Sequence, residues 1–126
     1  MPIALSEDEA LRYRRQLIMP EIGETGQVKI KQAAVMIAGL GGLGGLSACY
    51  MAAAGVGKLK IVDMDQVAGH NLNRQILYTT ADIGKRKTAC AQARLKALNP
   101  SCRIEAVDEP IGPDTINGMA AGCDLI

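Results

Sequence analysis

The chain has no tryptophan, no phenylalanine and only three tyrosines among its 126 residues. That leaves little aromatic surface on which nucleic-acid bases could stack. It has one histidine and four widely spaced cysteines, Cys49, Cys90, Cys102 and Cys123, with no CxxC pair, so zinc-ligand spacing is missing. An excess of charge is missing too: 14 Lys and Arg against 13 Asp and Glu leave a formal net charge of +1. No global field therefore points to nucleic acid or to a membrane as partner. Cys49 and Cys90 sit in alanine-rich segments and read as core thiols in a reducing cytoplasm. There is no internal repeat and no low-complexity linker. The length suits one small domain with a real core.

Charge is absent altogether from residues 33–57, and 25 uncharged residues are enough to span a bilayer. Gly41 and Gly45 even have the GxxxG spacing of paired membrane helices. Seven glycines interrupt the run, however, its apolar residues are largely alanine, and it continues into the charged stretch "GKLKIVDMD". It also begins too far into the chain for a secretory signal. The segment reads instead as strand, glycine turn and helix.

What is present is an alternation of strands and helices. "SEDEALRYRRQLIM" (6–19) is expected to be one helix, capped by Ser6 and ended by Pro20. A second short helix follows over 25–33. "AAVMIAG" (33–39) reads as a buried strand, "LGGLSACYMAAAG" (43–55) as a helix closed by Gly55, and "KLKIVD" (58–63) as a second strand. Residues 64–83 form a connection long enough to be functional in its own right. A helix over 85–99, a strand over 102–109, a short helix over 113–122 and the start of a fourth strand at "CDLI" complete the series. This order predicts an α/β fold with a doubly wound, mostly parallel sheet. The division expected is an N-terminal helical segment over 1–32 and a nucleotide-binding domain over 33–126. Because the chain stops at Ile126 within an apparent core strand, the sequence is expected to be a fragment of a longer protein.

Gly39-x-Gly41-x-x-Gly44 follows a strand and opens a helix, the context that a phosphate-binding glycine turn demands. The first glycine allows the turn, the second lets a phosphate approach, and the third lets helix and strand pack closely. The helix N-terminus presents free amides to an anion. Asp63 lies 24 residues after Gly39, at the end of the second strand, where a carboxylate can bind ribose hydroxyls. This pattern fits NAD and ATP equally. "NLNRQ" adds Asn71, Arg74 and Gln75, "GKRKTA" adds Lys85, Arg86 and Lys87, and "RYRRQ" adds Arg12, Arg14 and Arg15. Several cations beyond the helix terminus suit a triphosphate better than a dinucleotide. For Lys85 and Arg86 a solvated surface charge is the better reading. His70 reads as a loop side chain rather than a base.

"RYRRQL", "GLGGLG", "AGVGKLKIVDMDQV", "NLNRQILY", "IGKRKTACAQARLKALNP" and "CDLI" occur in this order. With them the chain, from about residue 10 to its end, resembles the N-terminal half of the ThiF/MoeB/HesA family, relatives of ubiquitin-activating enzymes. The resemblance implies a Rossmann-like fold and a cytoplasmic, ATP-dependent adenylyltransferase. Such an enzyme activates the C-terminal glycine carboxylate of a ubiquitin-like sulfur carrier ending in Gly-Gly, for thiamine, molybdopterin or related sulfur transfer. By the same resemblance Gly39, Gly41, Gly42 and Gly44 would line the phosphates, Asp63 would hold the ribose and Asp65 would shape the site. Asn71, Arg74 and Gln75 would contact the triphosphate, and Lys87 would neutralise charge in the transition state. Arg15 would reach into the partner's site of a homodimer.

The resemblance also implies Mg²⁺ alongside ATP, its aspartate expected beyond Ile126, and allows zinc in the parent protein; the family's paired CxxC zinc motifs and carrier-accepting cysteine match no position here. No metal ligand and no catalytic cysteine is therefore assigned. Two further readings stand beside this one: a nucleotide-binding or dimerisation module without chemistry of its own, and an NAD-dependent oxidoreductase domain. Titration with ATP and Mg²⁺ against NAD separates the last, and carrier-dependent pyrophosphate exchange separates the first two.

Overall fold

Ser6 opens α1 (Glu7–Arg12) with a reciprocal cap. Its hydroxyl accepts from the Glu9 N–H at 3.2 Å, and the Glu9 carboxylate accepts from the Ser6 N–H at 2.8 Å. The computed structural model describes residues 3–126, so the first two residues of the expected 1–32 segment lie outside it. The single helix expected over 6–19 is not continuous. At Tyr13 the backbone leaves helical geometry (φ −96°, ψ 13°), and a separate short α2 (Arg14–Leu17) follows. The cause is tertiary: Tyr13 is buried, and its hydroxyl accepts from Asn99 Nδ2 at 2.7 Å. α3 (Gly23–Gln32) then leads into the sheet.

β1 (Ala34–Ala38), β2 (Lys58–Val62) and β3 (Arg103–Val107) form a parallel sheet in that order, with Ala34 beside Lys58 and Lys58 beside Arg103. Strand side chains alternate between two faces. Val35, Ile37, Leu59, Ile61 and Ile104 point to the larger core, shared with α4 (Gly42–Ala54) and α5 (Lys87–Leu98) through Ala48, Ala52, Ala91 and Leu95. Met36 and Val62 point to the other face and meet Met119 of α6 (Ile116–Ala120). Lys60 shares that second face; its ammonium donates to the Met119 carbonyl at 2.7 Å. Burial on both faces suits the continuous apolar run of β1, while β2 and β3 carry charges on the second face, where Lys58 and Lys60 pair with Glu105.

Of the fourth strand expected at "CDLI", the structure forms one parallel bridge, Val35 to Leu125. The Met36 N–H donates to the Leu125 carbonyl at 2.9 Å, and the Asp124 N–H donates to the Ala34 carbonyl at 2.7 Å. These residues lie on the side of β1 away from β2, so the order reverses at β1. In doubly wound sheets that reversal marks the ligand crevice, outside the C-terminal ends of the strands.

The far end of α4 is tied down by polar side chains. Asn99 Nδ2 donates to the Ala52 carbonyl at 2.7 Å, and Gln16 and Gln27 both donate to the Ala54 carbonyl, at 2.9 and 2.8 Å. Both carbonyls belong to the last turn of the helix, where, among the described residues, Ala54 is left without a backbone partner and Ala52 accepts from the backbone only the capping Gly55 N–H at 3.1 Å. They fasten the N-terminal helices and the end of α5 to α4, and so leave the opposite end of α4 open. No helix among the described residues is long and apolar enough to cross a membrane.

Candidate nucleotide-binding site

The turn between β1 and α4 is built from close backbone approach. Gly39 has φ +95°, a conformation that L side chains rarely adopt. A Cβ at Gly44 would stand 1.8 Å from the Gly39 carbonyl oxygen, so only glycine lets α4 start there. The N-cap is Gly41, which brings no side chain to the helix end. None of the amides of Gly41, Gly42, Leu43 and Gly44 finds an acceptor among the described residues. Four free N–H groups at the start of a 13-residue helix make an anion site.

Asp63, at the end of β2, clamps this turn. One carboxylate oxygen accepts from the Leu40 N–H and the other from the Asp65 N–H, each at 2.8 Å. The sequence pointed Asp63 at a ribose; here its carboxylate fixes the glycine turn. Asp65 itself is exposed, and its carbonyl accepts from the Lys87 N–H at 3.0 Å. Asp63, Asp65 and Lys87 thus form a chain of contacts that joins the glycine turn to the start of α5.

The long connection folds over the same turn. It contains two short 3₁₀ turns, each closed by a side chain that accepts a backbone N–H: Asn71 from Ala68 at 2.9 Å, and Asp82 from Thr79 at 2.8 Å. The Thr79 N–H holds the Asp82 carboxyl below its usual range. Between them, the stem of Arg74 lies over Gly42, 3.7 Å from where a Cβ would be, and Gln75 Nε2 lies 3.8 Å from the same point at Gly41. Arg74 is steadied by the His70 carbonyl at 3.1 Å and by Asn73 Oδ1 at 2.9 Å. Gln75 is buried, and its Oε1 has no hydrogen-bond partner. A buried carbonyl oxygen left without a donor is costly, and a bound ligand is one way to supply it.

Lys87 is only 5% exposed, yet it makes none of the ion pairs or side-chain hydrogen bonds found among the described residues. Its stem is buried while its ammonium reaches the surface without a protein anion among the described residues, which leaves the charge free to receive one. Arg86, by contrast, is engaged elsewhere: it donates to the Met64 carbonyl at 3.0 Å and pairs with Asp108 at 3.3 Å. Beside the turn, a cleft of about 190 Å³ opens between Gly39, Asp63, Met64, Pro110 and Ile111. The exposed side chains of Met64 and Ile111 offer it apolar surface suited to a planar base. Larger hollows lie elsewhere, beside Arg12 and Pro100 and beside Arg14 and Arg15.

The structure therefore gathers Gly39, Gly41, Gly42, Gly44, Asp63, Asp65, Arg74 and Gln75 around one turn, with Asn71 bracing the loop and the backbone of Lys87 joined to that of Asp65. It does not bring Arg15 there. Its neighbour Gln16 bonds Ala54, the last residue of α4, and 13 helical residues put that end about 20 Å from the glycine turn. His70 is exposed, as a loop side chain would be. The sequence reading missed Tyr78. Its ring is buried, and its hydroxyl donates to the Leu40 carbonyl at 2.8 Å. Burial, and then the nearby Asp63 charge, push the phenol's pKa up, so it stays a donor. The described residues bring together no group of three His, Cys, Asp or Glu able to hold a metal.

The sequence profile of the ThiF family matches residues 13–126. The chain belongs to the ThiF family. Among relatives of this ThiF-family chain, a sulfur carrier protein adenylyltransferase of Thermus thermophilus is 50% identical over 101 residues, covering 80% of the chain and 37% of the relative. The mouse adenylyltransferase and sulfurtransferase MOCS3 is 44% identical over 123 residues, covering 98% and 27%. The chain thus spans well under half the length of either relative. Among solved structures, the E. coli tRNA N6-threonylcarbamoyladenosine dehydratase TcdA in complex with ATP superimposes with a TM-score of 0.88 at 29% identity, covering 96% of this chain and 49% of that one.

Proposed function

We propose that the protein containing this chain is an ATP-dependent adenylyltransferase that activates the C-terminal glycine carboxylate of a ubiquitin-like sulfur carrier. The observation that carries the reading is the glycine turn with four free amides lying under the stem of Arg74. That arrangement suits a polyanion. The names of the relatives, sulfur carrier protein adenylyltransferase above all, support the reaction class, and the ATP complex of TcdA supports the nucleotide.

In this reading the amides of Gly41, Gly42 and Gly44 hold phosphate oxygens, and the cleft beside Met64 and Ile111 takes the base. Asp63 keeps a lone pair on each oxygen for the ribose while it clamps the turn. Arg74 and Lys87 neutralise charge that grows as the carrier's carboxylate attacks the α-phosphate and pyrophosphate leaves. The carboxylate is itself the nucleophile, so the protein's task is positioning and charge stabilisation. Arg15, about 20 Å from its own glycine turn, acts on a second subunit's site in a homodimer. Binding and exchange assays on the full-length protein test the proposal together. ATP with Mg²⁺ should bind in preference to NAD, and pyrophosphate exchange should require a carrier ending in Gly-Gly. Preference for NAD, or exchange indifferent to the carrier, would overturn it.

A further inference from the structure

We propose that Tyr78 is a positioning residue for nucleotide phosphate: it fixes the peptide whose N–H points at the anion. The inference rests on the nucleotide reading above. Two successive peptides of the glycine turn are each held from one side. In the first, the Leu40 N–H goes to Asp63 at 2.8 Å, while the Gly39 carbonyl faces the backbone of Gly44. In the second, the Leu40 carbonyl accepts the Tyr78 hydroxyl at 2.8 Å, and the Gly41 N–H has no acceptor among the described residues.

A trans peptide is planar, with its C=O and N–H antiparallel. Holding the Leu40 oxygen toward the buried Tyr78 therefore turns the Gly41 N–H the opposite way, out of the core. Gly41 is the N-cap of α4, so this amide joins the free amides of the first turn. Glycine on one side of that peptide leaves it free to rotate unless something holds it. Leu40 and Tyr78 are both buried, which keeps water from replacing the contact. Tyr78 also lies three residues after Gln75 in the same connection, so its hydroxyl ties the stretch that carries Arg74 and Gln75 to the turn.

The test is Tyr78→Phe in the full-length protein, with ATP and adenosine affinities measured by calorimetry. The ring remains to fill its space and only the donor is lost. Affinity for ATP should fall by roughly fivefold, the worth of one hydrogen bond, while adenosine binds as before. Unchanged ATP affinity would overturn the proposal. So would an equal loss for ATP and adenosine, or a variant that no longer folds, since either makes the residue merely structural. If the unsubstituted protein binds no ATP, the nucleotide reading itself fails, and this inference with it.

Discussion

Gly44→Ala isolates the close approach on which the site depends. The added Cβ would stand 1.8 Å from the Gly39 oxygen and 2.8 Å from its carbon. Unstrained contacts lie at about 3.5 Å, so α4 would have to withdraw by more than 1 Å from a turn held by Asp63 and Tyr78. Both clashing atoms are backbone and have no rotamer to escape into. Overpacking of this kind costs about 3 kcal/mol at its upper end, and alanine's better helix propensity returns about 1. The expected net loss is about 2 kcal/mol, which moves a urea midpoint down by roughly 1 M. Gly42→Ala is the control. Its Cβ would meet the stem of Arg74 at 3.7 Å, an ordinary contact, so stability should stay within about 0.5 kcal/mol of the parent. Urea unfolding of the two variants in the full-length protein decides the matter. A Gly44→Ala midpoint equal to or above that of Gly42→Ala would refute the packing argument.

Three further outcomes are expected. Lys87→Ala should lower carrier-dependent pyrophosphate exchange by about a hundredfold or more with little change in thermal stability, because its ammonium has no ion-pair partner among the described residues to lose; full exchange would remove Lys87 from the mechanism. Burial pushes the Cys102 thiol up to about 11 and raises Cys49 and Cys90 as well, so at pH 8 Ellman's reagent should reach Cys102 only on unfolding; rapid reaction of all four thiols would contradict the packing. Asp82 is held below its usual range chiefly by the Thr79 N–H, so its stabilising contribution is complete above about pH 4 and is lost as the pH falls through the lower folded value. Asp82→Asn should therefore flatten the acid limb of a melting-temperature profile, and an unchanged limb would contradict the cap's role.

The regular elements were legible because their signals are local. Glycine stops β1 and closes α4, and the uncharged β1 could only be buried within a two-sided sheet. The third glycine's purpose was legible for the same reason, and the distance at Gly44 bears it out. The break at Tyr13 was not, because it answers a hydrogen bond with Asn99, 86 residues away. The single bridge at Leu125, where a strand was expected, follows a backbone partner rather than an apolar pattern. Tyr78 escaped notice because its contact with Leu40 spans 38 residues and uses a main-chain oxygen, which no motif displays. The spacing singled out Asp63 but not its clamp on Leu40 and Asp65, since a carboxylate at a strand end reads the same whether it holds sugar or backbone.

The most direct test is a mass spectrum of the carrier. The full-length protein is incubated with ATP, Mg²⁺ and a sulfur carrier ending in Gly-Gly, with pyrophosphatase present to draw the reaction forward. A carrier heavier by one AMP, and unchanged when its last glycine is removed, is the predicted result. A carrier that stays unmodified while the protein binds ATP would contradict the account.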